Sequence, residues 1–303
     1  SPTKNLTAYD YYLKGMDFRN RSNEEEDLQF AAQMFSQAIE IDSTFTLAWV
    51  WLAAASRSRY CYRFNRTEEI LVKTKEYLDR AIALDPDNFE VRLEAGKYHD
   101  QCKLDYGQAL PIFEKLRSEY PNNSQLYAWT GYIYRRMGQF ENSFKNLDRA
   151  ILLNPSSWNE RANAAYTLVI LRRYREAENY YRTGLDLNPI WDQGYSSLVE
   201  LYQITGKIEQ ARIFTGNQNP DDHPWMYMTM SKTELLERNY DKAISIIEAS
   251  PSEFLVYEDE FITRSQQLGL IYLMMSNKEL ATTHFQEARL ILENRLKELP
   301  DDP

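Results

Sequence analysis

Along most of this chain apolar residues recur at three- and four-residue steps, the spacing that places them on one face of a helix. Runs of about a dozen residues with this pattern are separated by short polar or proline-containing breaks. The runs come in pairs, and the pairs repeat. Tyr127 to Pro155 and Arg161 to Pro189 align at an offset of 34 residues, with Gly131 facing Ala165, Ser143 facing Ala177, Leu147 facing Tyr181 and Ala150 facing Gly184. The same frame extends to both ends and predicts one domain over 1–303, built of eight units at roughly 7–45, 46–88, 89–123, 124–157, 158–191, 192–223, 224–260 and 261–303. The second unit is stretched by the insertion Arg57 to Arg66, and Thr215 to Trp225 breaks the spacing again.

Physical roles follow from position. Small residues (Gly96, Gly131, Gly269 and the series Ala31, Ala109, Ala177, Ala211, Ala243, Ala281) mark helix crossings, where a small side chain lets two backbones approach. Large residues four positions beyond several of these alanines (Phe35, Phe113, Tyr181, Phe285) fill the adjoining gap. Pro86, Pro121, Pro155 and Pro189 stop the second helix of their units. Asn88, Asn123 and Ser156-Ser157 then offer N-caps, and Ser22 to Glu25 offers a capping box. A single helix pair cannot bury its apolar face, so neighbours must stack. No sustained period-two pattern appears, and the expected fold is all-α, with about sixteen helices and no sheet.

Gly131-Tyr132-Ile133-Tyr134, Gly138-Gln139-Phe140, Ala150 and Pro155 resemble a tetratricopeptide repeat, a likeness that covers nearly the whole chain. It implies a right-handed superhelical solenoid that binds a protein or peptide. The opening, Asn5 to Gly15, and the closing stretch, Ala288 to Pro303, are similar to the repeat regions of bacterial regulators that carry an adenylate cyclase, winged-helix or TolB-like domain. That narrower resemblance, with the absence of an initial Met, leads us to expect a piece of a longer protein with a linked effector outside this chain. No cyclase carboxylate set and no winged helix are visible here.

In this frame the first helix of each unit lines the concave face. Inward positions include Val50, Ala54 and Arg57 in unit two, Leu93, Lys97 and Asp100 in unit three, Tyr132, Arg135 and Arg136 in unit four, and Asn159, Asn163 and Tyr166 in unit five. Rings can bury apolar side chains of a peptide, Asn can hold its backbone, and Arg can pair a carboxylate. The expected partner-binding residues are Tyr132, Arg135, Arg136, Asn159, Asn163, Tyr166 and Arg57, the last on a lip formed by the insertion; inter-repeat packing is the plainer role for many of them, and the plainer form of the insertion is a lengthened helix pair packing on unit three. Some family members clamp a C-terminal carboxylate. Asn163 matches one position of that clamp, but Ala128 and Tyr132 stand at others, which argues against the same ligand.

Composition narrows the function further. The net charge is −10 with no basic block, which opposes nucleic-acid binding. His99, His223 and His284 are scattered without ligand spacing, so no metal and no cofactor is expected. No nucleophile motif or phosphate loop is present, and we expect no enzymatic activity. Cys61 and Cys102, far apart in sequence, read as free thiols of a reducing compartment, consistent with a cytoplasmic location or with the periplasmic side of a membrane-anchored parent. The longest apolar run, about Phe45 to Ala55, is too short to cross a bilayer. A scaffold or sensor module is the leading reading. A receptor for a small ligand or short peptide and an accessory domain of an enzyme such as a nucleotide cyclase are the alternatives.

Overall fold

The computed structural model describes residues 3–62, 66–216, 225–257 and 260–298. Among them sixteen helices follow one another in packed pairs. The first four pairs are α1 (Leu6–Arg21) with α2 (Glu25–Ile41), α3 (Thr46–Cys61) with α4 (Glu68–Leu84), α5 (Phe89–Gln101) with α6 (Tyr106–Glu119), and α7 (Ser124–Arg136) with α8 (Phe140–Leu153). The last four are α9 (Trp158–Ile170) with α10 (Tyr174–Leu187), α11 (Asp192–Ile204) with α12 (Ile208–Gly216), α13 (Trp225–Leu236) with α14 (Tyr240–Glu248), and α15 (Arg264–Met274) with α16 (Lys278–Glu298). The chain divides into two compact units, Ser1–Pro155 and Ser156–Pro303.

The first unit is built on small-to-large contacts between the helices of a pair. A Cβ added at Gly15 would meet the Phe35 ring at 2.6 Å, one at Gly96 the Phe113 ring at 2.7 Å, and one at Gly131 the Leu147 side chain at 2.8 Å. Phe35, Phe113 and Leu147 are fully buried, so none of them has room to retreat. The second unit repeats the device with Gly269 against Phe285 at 2.8 Å. Gly131→Val is therefore expected to cost about 1–3 kcal/mol by overpacking, seen as a lower urea midpoint at unchanged slope. Gly107→Ala, where the nearest atom would be Asp105 Oδ1 at 3.4 Å, is the near-neutral control.

The turns inside the six pairs from α5–α6 to α15–α16 share one conformation. Gly138 and Gly206 adopt φ of 74° and 71°, and Leu104, Arg172, Arg238 and Ser276 adopt the same left-handed conformation at matching places. Glycine takes this conformation without strain, which explains the Gly138-Gln139-Phe140 signature. N-caps are equally regular: the side chains of Asn88, Asn123 and Thr263 accept bonds from Glu90 N, Gln125 N and Gln266 N at 3.0 Å each. Ser157 caps only by its backbone geometry. The Ser22 capping box does not form, because Glu24 takes the N-cap position; Ser22 Oγ accepts from Glu24 N and donates to Asp27.

One expectation is corrected. An antiparallel hairpin, β1 (Phe254–Tyr257) with β2 (Glu260–Thr263), precedes α15 in the second unit, pairing Leu255 with Ile262. Its strands are four residues each, too short to display alternation. They are rich in β-branched and aromatic side chains, and Leu255 is buried in a cluster with Tyr227, Ile247 and Leu268. The start of the insertion after Arg57 takes the plainer of its two expected forms: α3 runs on to Cys61 as a longer helix packed on α5, not as a separate lip. Residues 63–65 and 217–224, which include most of the Thr215 to Trp225 break and His223, lie outside the described residues.

Candidate functional site

Within the first unit, the first helices of adjacent pairs meet through a layer of charge. Arg57 on α3 is 6% exposed and Glu94 on α5 is 3% exposed. Arg57 Nε donates to Glu94 Oε1 at 2.6 Å and Nη2 to Oε2 at 3.3 Å, a two-pronged pair. Its Nη1 donates to Gln101 Oε1, two turns further along α5. Arg57 was expected on a partner-binding lip; it is instead an internal tie between two pairs. Burial alone would lower its pKa, but Glu94 more than compensates and raises it.

The layer continues on either side. Arg19 of α1 hydrogen-bonds Asn23 at 3.0 Å, and burial and the nearby Arg57 charge lower its pKa. Lys97 stands one turn beyond Glu94, 5.3 Å from the Trp129 ring of α7. Burial brings its ammonium down to about 8, opposed by Glu94 and Glu90 and assisted by Arg57 and Arg19. Asp100, fully buried on α5, accepts from Arg136 Nη1 of α7 at 2.5 Å. Burial raises the Asp100 pKa while Arg136 pulls it down. Arg136 thus serves as an inter-pair tie with about a third of its side chain still exposed.

The remaining expected residues fall into two sets. In the first unit, Tyr132 lies edge-on to Trp129 at 5.6 Å, and the Arg135 guanidinium sits 5.7 Å from the Tyr132 ring centre. In the second unit, Asn163 Nδ2 donates to the Asn159 carbonyl one turn back at 2.9 Å, and Tyr166 is 53% exposed. The sequence reading missed Glu94, Gln101 and Trp129. Its one available signal was spacing, since Glu94 follows Arg57 by one stretched repeat.

Other chemistry is thin. No group of three or more His, Cys, Asp or Glu that could hold a metal occurs among the described residues. His99 packs edge-on to Tyr98, and His284 stacks on Tyr272 while contacting Glu287 at 3.0 Å. No helix among the described residues is long and apolar enough to cross a membrane.

Comparison with known proteins points the same way. Residues 103–183 match the family model for anaphase-promoting complex, cyclosome, subunit 3. A curated relative, the inactive TPR repeat-containing thioredoxin TTL3 of Arabidopsis thaliana, is 33% identical over 102 residues, covering 33% of this chain and 15% of that protein. This chain therefore spans well under two thirds of that relative's length. A tetratricopeptide repeat protein from Parabacteroides merdae superposes with a TM-score of 0.55 at 17% identity, over 88% of this chain and 99% of that one. The chain has the fold of tetratricopeptide-repeat proteins. A human IFIT1 dimer solved with m7Gppp-AAAA shares the fold at a TM-score of 0.62 and 14% identity, over 94% of this chain and 72% of that one. Tetratricopeptide-repeat proteins act in general as scaffolds for protein–protein interaction, and the fold is typically non-catalytic. Arg57 and Glu94 join α3 to α5, and Asp100 and Arg136 join α5 to α7.

Proposed function

We propose that this chain is the interaction module of a bacterial signalling protein, holding a peptide or partner domain along the first helices of its repeats and coupling that event to a linked effector. One observation carries the reading. The first helices of the first unit meet through ordered charge, with Arg57–Glu94 and Arg136–Asp100 fixing a platform on which Lys97, Trp129, Tyr132 and Arg135 are arrayed. Fixed aromatic and cationic side chains at the surface suit an extended peptide with acidic and apolar residues. In the second unit, taken by itself, Asn159, Asn163 and Tyr166 on α9 are the candidate contacts. The signalling context rests on the similarity of Asn5 to Gly15 and Ala288 to Pro303 to the bacterial regulators. IFIT1 is solved with a capped RNA, but the net charge of −10 here opposes a nucleic-acid ligand.

Affinity capture with the wild type and with Tyr132→Ala/Arg135→Glu/Asn163→Ala tests this. A bound protein whose retention falls at least about ten-fold in the variant, at unchanged circular dichroism, is the expected result. Equal retention by both proteins would remove the partner from these helices.

A further inference from the structure

Cys61 ends α3 and Cys102 caps the C-terminus of α5, so the packing of these two helices brings together two residues that are distant in sequence. Both are free thiols. Cys102 lies in a buried cluster with Ala53, Leu78 and Tyr98, and Cys61 packs against that cluster beside Tyr60 and Leu71. Cys61 lies 3.9 Å from Gln101 Oε1, the oxygen that also accepts from Arg57 and belongs to the residue just before Cys102. The geometry therefore sets both thiols at one seam between α3 and α5, next to the Arg57–Glu94 tie.

The partners of the pair are unequal. Cys61 is half-buried at the helix end, whereas Cys102 is buried. The neighbouring Cys102, and then the Arg57 charge, hold the Cys61 thiol at about 7 against burial and the Glu94 charge. The neighbouring Cys61 and burial push the Cys102 thiol well above the usual thiol range. A half-buried thiol beside a guanidinium, with a second thiol buried in the cluster it packs against, is the arrangement of an attacking and a resolving cysteine.

We propose that Cys61 and Cys102 form a reversible disulfide that ties α3 to α5 in response to hydrogen peroxide. The Cys61 thiolate attacks the peroxide oxygen, the O–O bond breaks, and the leaving hydroxide takes a proton to become water. Cys61 is then a sulfenic acid, oxidised by two electrons. The Cys102 sulfur attacks the Cys61 sulfur, loses its proton and displaces hydroxide, which leaves as a second water. The net change is two thiols and one peroxide converted to one disulfide and two waters, and a dithiol reductant reverses it. The bond would lock the C-terminal ends of two neighbouring first helices beside the Arg57–Glu94 pair, so the platform on α5 and α7 becomes stiffer when oxidised.

The test treats the reduced chain with hydrogen peroxide near neutral pH, alkylates the remaining thiols, and reads intact mass and peptide maps. The expected product is monomeric, lacks two hydrogens, carries a Cys61–Cys102 peptide and returns to the dithiol with dithiothreitol. Cys102→Ser should instead trap a Cys61 sulfenic acid that reacts with dimedone. In Cys61→Ser the Cys102 thiol should be oxidised at least about ten-fold more slowly than Cys61 in the wild type, a difference erased in denaturant. A wild type that keeps both thiols, or joins only between molecules, would overturn the proposal. So would Cys61→Ser losing its remaining thiol as fast as the wild type. Because the wild-type map is itself decisive, a variant that failed to fold would leave the test intact.

Discussion

Arg57→Met lowers the stability of the first compact unit by about 3–5 kcal/mol. The size follows from what is left behind. Glu94, 3% exposed, keeps its carboxylate in the interior with both oxygens stripped of their partner, and Gln101 loses its donor as well. An uncompensated buried charge is far more costly than the net worth of the pair that held it. Arg57→Met/Glu94→Leu, which removes both charges for side chains of similar length, should therefore recover most of the loss, to within about 1 kcal/mol of the wild type. Urea titrations of the three proteins read this directly from their midpoints. A single variant as stable as the wild type would mean that water reaches Glu94, and the two-pronged pair would then be ornamental to stability.

The contrast between Arg57 and the glycines explains how far the sequence could be read. Gly15, Gly96, Gly131 and Gly269 each meet a large side chain of the second helix in their own pair. That contact spans fewer than two dozen residues and recurs down the chain, so a repeat alignment exposes it. The Arg57–Glu94 and Arg136–Asp100 ties run between pairs. Nothing in the alignment distinguishes such a buried charge from a solvated one, because both occupy the polar side of an amphipathic helix. The insertion at Arg57 to Arg66, rich in Arg and aromatics, fits either a lip or a lengthened helix pair by composition; the extra turn of α3 carries its first part inward, against α5. The β1–β2 hairpin escaped for another reason. It lies where unit seven passes into unit eight, outside the repeat frame, and its buried Leu255 ties it to the core. Tyr132 and Arg135, one turn apart on α7, were legible from helical spacing alone, and the structure does place them against each other.

The second unit should lose stability in acid through one carboxylate. Glu234 on α13 is 3% exposed. It accepts from Arg212 Nε at 2.9 Å and Nη2 at 3.0 Å, from Lys242 Nζ at 2.8 Å and from Asn239 Nδ2 at 3.0 Å. These donors, Arg212 foremost, outweigh its burial and hold its pKa at about 2, below the ordinary 4.5. A carboxyl group with a depressed folded-state pKa stabilises the fold fully above its unfolded value, and that contribution disappears as pH falls through the folded value. Stability should thus decline from about pH 5 towards pH 2, with about 2 kcal/mol of the decline due to Glu234 once screening around the partly exposed Arg212 and Lys242 is counted. Glu234→Gln should lower stability by about that amount at neutral pH and flatten the acid limb, so that the two urea-midpoint curves converge near pH 2. Glu237→Gln, whose side chain is 43% exposed beside the same arginine, should shift the curve by less than about 0.5 kcal/mol. Wild-type and Glu234→Gln curves that stay parallel down to the acid end would show that Arg212 and Lys242 do not depress the Glu234 pKa, and the acid sensitivity of this unit would then belong to other carboxylates such as Glu176 and Glu178, whose pKa values are also lowered by neighbouring cations.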